Sequence, residues 1–170
     1  MANRILLCIG TKKGLFVAES SKTRRGFTLR GPFGQGVGVY SALIDTRGTP
    51  RLYASSCNPF FGMKVLHSTD LGKSFKETKS APAFPKDDGR AVANIWSLEA
   101  GKDRKELLCG VEPASLFKSR DGGDSWEMVP GIRTTSTRAN GTRVTVGSAC
   151  TPSFETGIVF ISASPPAAIT

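Results

Sequence analysis

Three acidic side chains and two adjacent aromatic ones are the residues of this sequence best suited to chemistry on a sugar. Asp87, Asp88 and Glu112 are carboxylates of the kind that act in pairs in glycoside hydrolysis, provided that the fold brings two of them to one pocket. Asp87 and Asp88 precede a glycine, which is also typical of a surface turn, and we prefer that interpretation. Phe60 and Phe61 could stack against a sugar ring or pack beneath their own loop, and both interpretations stay open.

Residue patterns for other common chemistries are missing from the sequence. The four cysteines (Cys8, Cys57, Cys109 and Cys150) are 41 to 52 residues apart and form no Cys-x-x-Cys pair, so we expect neither a metal site nor a cofactor. His67 has no Ser or Cys partner in a recognisable frame, and we expect it to be solvated at the end of a strand. No Gly-rich loop leads into Lys-Ser or Lys-Thr, as a phosphate-binding loop would.

The composition and the charge exclude several classes of protein. The 170 residues are enough for one domain with a core, and no stretch approaches the roughly 18 apolar residues of a membrane span. The net charge of +9 raises the question of nucleic-acid binding, but the basic residues are scattered except for the run 22–25. We therefore expect neither nucleic acid nor a membrane as a partner. Free thiols without an export signal predict a cytoplasmic protein.

An internal repeat indicates which elements position these residues. The sequence has 19 Gly and 10 Pro, a composition that favours many short strands over long helices. Two segments 51 residues apart share the pattern S-x-D-x-G-x-S-[FW], which we call the first and second box: Ser68, Asp70, Gly72 and Phe75 in the first, and Ser119, Asp121, Gly123 and Trp126 in the second. Upstream of the boxes, residues 39–44 match residues 95–100 as a further strand.

The repeat predicts an all-β domain of short antiparallel strands with almost no helix. Each unit has three strands, a box and a fourth strand, and the N-terminal segment has lost its box. Trp96 and Trp126 lie on strand patterns, which predicts that both belong to the core. The strands are expected near 5–9, 15–19, 39–44, 52–56, 64–68, 74–77, 94–99, 106–110, 115–119 and 125–129.

Each box has the residues of a tight turn. The short Asp side chain can accept hydrogen bonds from backbone N–H groups two residues on. Gly72 and Gly123 can adopt a positive φ, where a side chain would clash. The aromatic residue at the end of each box starts the next strand and packs between neighbouring sheets. We therefore interpret Asp70 and Asp121 as structural rather than catalytic residues.

The box pattern is similar to the Asp-box, or BNR repeat, of sialidase-like β-propellers and of sortilin-like and photosystem-assembly-factor-like propellers. Residues 4–132 resemble the bacterial WD40/YVTN/BNR-like proteins labelled glycosyl hydrolase or exo-α-sialidase-like, whose landmarks occur here in order at residues 10–16, 68–74, 95–99 and 110–117. The resemblance implies a partial β-propeller of about two blades plus an N-terminal three-strand piece, since a closed propeller needs about 4–8 blades.

The strand order implied by the resemblance places the candidate residues together. Each box would lie at the turn between the third and fourth strands of a blade. The other loops would lie on the opposite face, where a pocket opens near the central channel. That face would hold Lys12, Lys13, Phe33, Asn58, Phe60, Phe61, Asp87, Asp88, Arg90 and Glu112.

The resemblance leaves two functions open for the whole protein. One is a glycosidase-like propeller that acts on a carbohydrate, of which this chain is the N-terminal part. The other is a non-catalytic scaffold that binds a protein or peptide. The Arg-Ile-Pro motif, the arginine cluster and the Tyr/Glu pair of sialidases are absent, so we expect the chain by itself to be no enzyme. The open sheet edges of an incomplete propeller predict self-association.

Residues 133–170 differ in composition from residues 1–132, which we assign to the partial propeller. They hold three basic residues, one acidic residue, many Ser and Thr, no Lys and no box. A disordered tail is one explanation. A one-base frameshift is the other, since the shifted frame permits K-W-D-P-G and then R-L-Y, which parallels residues 51–53. We therefore expect a frameshifted, truncated product, with at most a few strand-like residues near 157–162.

Overall fold

Eleven β-strands make up the part of the chain that the computed structural model describes, residues 4–130. This part is all-β, as predicted, and it contains no helix and hence no helical membrane span. The hypotheses about residues 133–170 lie outside the described residues. The strands are β1 (Arg4–Thr11), β2 (Gly14–Ser21), β3 (Phe27–Phe33), β4 (Ala42–Asp45), β5 (Arg51–Asn58), β6 (Gly62–Ser68), β7 (Lys76–Glu77), β8 (Asn94–Ala100), β9 (Leu107–Glu112), β10 (Ser115–Ser119) and β11 (Glu127–Met128).

The strands form three antiparallel sheets, and each sheet is an up-and-down meander. The first sheet has the order β1-β2-β3, the middle sheet β4-β5-β6-β7 and the third sheet β8-β9-β10-β11. Strands that neighbour each other in a sheet are consecutive in the chain, so short connections join most of them. Two four-stranded sheets and an N-terminal three-stranded sheet therefore form part of a β-propeller, which confirms the predicted fold class.

The middle sheet is buried on both faces, because the first and third sheets cover it. Successive side chains of its strands point in opposite directions, so they contribute alternately to two apolar clusters. In β5, Leu52 and Ala54 pack in one apolar cluster with Leu15 and Val17 of the first sheet. Residues on the other face of the middle sheet form a second cluster with the third sheet: Leu43, Tyr53, Cys57 and Val65 pack against Ile95, Leu98, Leu107, Cys109, Val111 and Phe117. The three sheets are thus stacked face to face, with one core on each side of the middle sheet.

All ten predicted strands are present, although three of them are shorter than predicted. The strand expected at 39–44 begins only at Ala42, the strand expected at 74–77 covers Lys76–Glu77, and the strand expected at 125–129 covers Glu127–Met128. In each case residues before the strand hydrogen-bond elsewhere, which delays the start of the ladder. The amides of Tyr40 and Ser41 donate to the hydroxyl of Ser55.

The resemblance implies a three-strand N-terminal piece, which the sheet β1-β2-β3 matches, but the apolar pattern of the sequence does not place its third strand, β3. Its polar residues and its Gly31-Pro32 pair are typical of a loop. The strand forms because β2 offers a free edge, with Ala18 opposite Leu29 and Ser20 opposite Phe27. Pairing across the sheet overrides the local preference, as is common for strands.

Candidate functional site

One end of the three sheets gathers most of the residues that the sequence marks as candidates. It holds the turns β1–β2, β5–β6 and β9–β10, the connection 34–41 and the later part of the connection 78–93, and we call it the loop face. Backbone hydrogen bonds join these segments. The amide of Gly36 donates to the carbonyl of Lys13 (3.2 Å), and the amide of Ala93 donates to the carbonyl of Glu112 (2.7 Å). Turns and connections therefore form one continuous surface.

Two aromatic rings and a carboxylate lie together on the loop face. The rings of Tyr40 and Trp96 are 5.1 Å apart between centroids and tilted by 53°. The indole N–H of Trp96 donates to Oε2 of Glu112 (3.2 Å), and the side-chain amide of Asn94 donates to the same oxygen (3.1 Å). Tyr40 lies two residues before β4, the first strand of the middle sheet, and Trp96 lies on β8, the first strand of the third sheet. The aromatic pair therefore spans two neighbouring sheets.

Buried serine hydroxyls position this aromatic pair. The hydroxyl of Ser55 accepts hydrogen bonds from the amides of Tyr40 and Ser41, both at 3.0 Å. The hydroxyl of Ser41 in turn accepts from the amide of Leu98 at 2.9 Å, which ties the middle sheet to β8. β8 has a register shift between Ile95 and Ser97, so Trp96 lies at an irregularity of the ladder. Such irregularities re-aim a side chain.

The prediction that Trp96 belongs to the core is wrong. Its side chain is 41% exposed, because β8 is an edge strand of the third sheet and its register shift turns the indole toward the loop face. Trp126 is partly buried and packs against the second cluster, closer to expectation. The repeat did carry a signal for the aromatic pair, since Tyr40 and Trp96 occupy equivalent positions in the matched segments 39–44 and 95–100. Tyr40 and Asn94 were missed.

Phe60 and Phe61 project from the β5–β6 turn into solvent. The side chain of Asn58 accepts hydrogen bonds from the amides of Phe60 (2.8 Å) and Phe61 (3.1 Å), which closes the turn. Phe60 is 90% exposed and Phe61 is 79% exposed. Of the two interpretations that the sequence left open, packing beneath the loop is therefore wrong. The turn presents two apolar rings on a shaped backbone.

The remaining candidates on the loop face differ in their surroundings. Lys12 and Lys13 are exposed at the β1–β2 turn, and Asp87 is exposed in the connection before β8. Asp88 forms an ion pair with Arg90, with 2.8 Å between Oδ2 and Nη2, and the guanidinium lies 4.2 Å from the centroid of a buried phenylalanine ring, that of Phe84. Asp88 is thus part of a local structural contact.

Phe33 lies opposite Leu15 beside the loop face, but its ring packs into the core instead of lining that face as expected. Its ring lies 4.8 Å from the ring of Phe75 and packs against the cluster between the first and middle sheets. The cause is tertiary: β3 extends to Phe33, which turns a residue expected in a loop into a partly buried strand end. Phe75 itself packs between sheets, as predicted for the aromatic residue of a box.

The two boxes lie at the opposite end of the sheets, which we call the box end, and their geometry is the same. In each box the serine hydroxyl donates to the aspartate and accepts from the glycine amide. Ser68 bonds Asp70 at 2.7 Å and the amide of Gly72 at 2.9 Å. In the second box both of the corresponding distances are 2.8 Å, for Ser119 with Asp121 and for Ser119 with the amide of Gly123.

The aspartates close their turns further along the chain than expected. Asp70 accepts from the amides of Lys73 and Ser74, three and four residues on, each at 3.0 Å, rather than two residues on. The box therefore spans more residues than a simple Asx turn. The hydroxyl of Ser68 accepts from the amide of Gly72, and Asp70 accepts from the amides that follow. Gly72 and Gly123 have φ values of 75° and 97°, as predicted.

Hydrogen bonding keeps both box aspartates ionised. The hydroxyl of Ser74 and further donors hold the pKa of Asp70 far below its ordinary value. The hydroxyl of Ser125, at 2.6 Å, is the main reason that the pKa of Asp121 falls to about 2. A carboxylate with these fixed donors is a turn element, which supports a structural role for both aspartates.

His67 is less solvated than expected. It lies within β6 opposite Tyr53, and its Nδ1 atom is buried without a hydrogen-bond partner among the described residues. Tyr53 of β5 and Lys76 of β7 flank it within the sheet, so His67 does not lie at an open strand end. No group of three or more His, Cys, Asp or Glu side chains between residues 4 and 130 is arranged to hold a metal ion.

The fold and the loop face define the chain as part of a β-propeller. No family model and no curated protein matches the sequence. A solved structure described as YCF48 bound to a D1 peptide is similar at 13% sequence identity and a TM-score of 0.47, over 74% of this chain. The chain spans 43% of the length of that protein, less than half.

Proposed function

We propose that the chain is part of an Asp-box β-propeller whose loop face binds a protein or peptide partner without catalysis by this chain. One observation carries the proposal. Of the five large hydrophobic side chains that are exposed within residues 4–130, three lie on the loop face: Phe60, Phe61 and Trp96. Exposed aromatic side chains that cluster on one surface are typical of interaction sites.

The surroundings of these rings suit a peptide. The β5–β6 turn is held by Asn58, so little order has to be gained when Phe60 or Phe61 is covered. Lys12 and Lys13 are exposed on the same face and the net charge is +9. A partner that combines apolar side chains with acidic ones would complement this surface.

Two of the three candidate acids on the loop face support binding rather than catalysis. Asp88 is engaged by Arg90, and Glu112 accepts hydrogen bonds from Trp96 and Asn94. A retaining or inverting glycosidase needs two carboxylates facing one substrate across a defined gap. Carboxylates that orient neighbouring side chains serve a different purpose.

Selection of peptides from a random display library on the full chain tests the proposal. Selected peptides should be enriched in apolar and acidic residues, and Phe61→Ser should weaken their binding about tenfold or more. The matched control is Phe27→Ser, an exposed phenylalanine of the first sheet far from the β5–β6 turn. Equal effects of the two substitutions, or no selected peptide at all, would contradict peptide binding at the loop face.

A carbohydrate ligand is the second candidate, and the aromatic pair favours it. Trp96 offers a half-exposed indole beside the polar groups of Asn94 and Glu112, a combination that suits the apolar and hydroxyl faces of a sugar. A glycan panel monitored through tryptophan fluorescence distinguishes the two. Carbohydrate binding would quench Trp96 and would be lost in Trp96→Leu, while Phe61→Ser would bind normally.

A further inference from the structure

The outer face of the first sheet is an apolar surface that the proposed ligand site does not use. Three rows of side chains cross it, because residues opposite each other in an antiparallel sheet share a face. The rows are Ile5, Ser20 and Phe27; Leu7, Ala18 and Leu29; and Ile9 with Phe16. The residues between them, such as Cys8 and Val17, point the other way into the core.

The β3 side of this outer face is open to solvent, whereas Ala18 and Ser20 in its centre are buried. Phe27 is 51% exposed and Leu29 is 58% exposed, and they are the two large exposed hydrophobic residues of the described range that do not lie on the loop face. Ile5, Leu7 and Ile9 are each half-buried. A contiguous apolar face of this kind on a stacked sheet indicates a missing neighbour.

The third sheet has a second open face at the other end of the stack. Leu108, Gly110 and Leu116 lie side by side on it, while Leu107, Cys109 and Phe117 point into the core. One row of this face runs through Glu99, Leu108, Lys118 and Glu127, and the ammonium of Lys118 is already ion-paired with Glu106 at 2.7 Å. Leu108, Gly110 and Leu116 are each half-buried, so this open face of the third sheet is partly apolar.

We propose that a second copy of this chain covers both faces, with the first sheet of each copy stacked on the third sheet of the other. The arrangement continues the face-to-face stacking already seen between the first and middle sheets and between the middle and third sheets. The three sheets formed by residues 4–130 give six in two copies, within the range of about 4–8 that closes a propeller. The pair has two-fold symmetry, and each interface is repeated once.

The charges at the box end favour this pairing over two identical faces meeting. The turn between β2 and β3 carries the exposed basic residues Lys22, Arg24 and Arg25. The open face of the third sheet carries Glu99 and Glu127 at the same end of the stack. If the copies stack in the orientation that the sheets have within one chain, the basic turn faces these acids. Two first sheets would instead bring basic turns together.

Analytical ultracentrifugation of the full chain over a range of concentrations tests the proposal. The chain should dimerise, and Leu29→Lys should weaken dimerisation about tenfold or more, because a charge replaces a leucine that the dimer would bury. Thr28→Lys is the matched control, since it adds the same charge to the next residue of the exposed strand β3, on the opposite face. It should leave the dissociation constant within about twofold.

A mixing experiment tests the head-to-tail arrangement. Leu116→Lys should also weaken dimerisation, because it changes the other half of the interface. A mixture of the two variants should associate more tightly than either alone, since a mixed pair retains one unaltered interface. Both positions are partly exposed in the monomer, so thermal melting should show that both variants fold.

Several results would overturn the proposal. A full chain that stays monomeric, with the amides of β3 protected from hydrogen exchange, would show that the chain's own residues outside 4–130 cover the first sheet. A monomer with unprotected amides would show an uncovered face. A dimer that Leu29→Lys weakens but Leu116→Lys does not would show two first sheets meeting each other. Equal effects of Leu29→Lys and Thr28→Lys would show association through another surface.

Discussion

Asp45 binds the guanidinium of Arg47 through both carboxylate oxygens, each at 2.9 Å, and directs it toward the third sheet. The guanidinium then donates to the carbonyls of Asp103 (2.7 Å) and Glu106 (2.9 Å), and also to that of Gly101. Burial alone would raise the pKa of Asp45, but the hydrogen bonds from Arg47 outweigh it, so this pKa lies below its ordinary value. One ion pair thus joins the β4–β5 turn to the β8–β9 turn.

Replacement of Arg47 should loosen the contact between the middle and third sheets. Arg47→Met removes the donors to three backbone carbonyls and leaves the buried Asp45 without its cationic partner, so we expect the free energy of unfolding to fall by about 2–4 kcal/mol. Urea denaturation measures it. Lys79→Met breaks the exposed ion pair with Asp124 and should leave the midpoint unchanged. Equal midpoints for both variants would contradict the cross-sheet role of Arg47.

The contribution of the second box to the free energy of unfolding should depend on pH. Asp121 has a pKa of about 2 in the folded chain, lowered from 3.8, so the unfolded chain binds a proton first. A depressed pKa adds stability above pH 4 that is lost as the pH falls from about 4 to about 2. Asp121→Asn should therefore lower the urea midpoint at pH 7 and reduce the fall in the midpoint between pH 4 and pH 2. Glu127→Gln, at an exposed position, is the control, and parallel curves for Asp121→Asn and the parent would refute the assignment.

A methyl group at Gly72 should be costly. This residue has a φ of 75°, and an added Cβ would lie 3.0 Å from side-chain atoms of Leu52 and Val17. Strain and crowding together should lower the free energy of unfolding by about 2 kcal/mol in Gly72→Ala. Gly26→Ala is the control, because nothing lies within 4 Å of its Cβ position. A thermal melt in which both variants match the parent would show that the turn tolerates a side chain.

The cysteines of the described sheets should be unreactive while the chain is folded. Burial raises the pKa of Cys8 and of Cys109 to about 12, and it also raises the pKa of Cys57, so little thiolate forms at pH 8. In a Cys150→Ser background, iodoacetamide at pH 8 should label none of the three in the native state and all three in 8 M urea. Rapid native labelling of Cys8 or Cys109 would show that the corresponding core opens.

Much of the fold could be predicted from the sequence because the information is local. The two boxes are complete within eight consecutive residues each, and their hydrogen bonds join residues at most four apart, such as Ser68 and Gly72. Ten strands follow from apolar runs between turns for the same reason. β3 could not be predicted in this way, since it forms only because β2 offers a partner.

The candidate site, too, was predicted from the sequence only where the information is local. The sequence by itself determined that Phe60 and Phe61 lie in a turn and that Tyr40 and Trp96 are equivalent positions of a repeat. Only the tertiary structure decided that Phe60 is exposed, that Trp96 leaves the core, and that the two aromatic rings of the repeat meet at 5.1 Å. Turn chemistry depends on neighbours along the chain, whereas exposure depends on whether another sheet covers a face. That second property belongs to the stack of sheets, and no single strand encodes it.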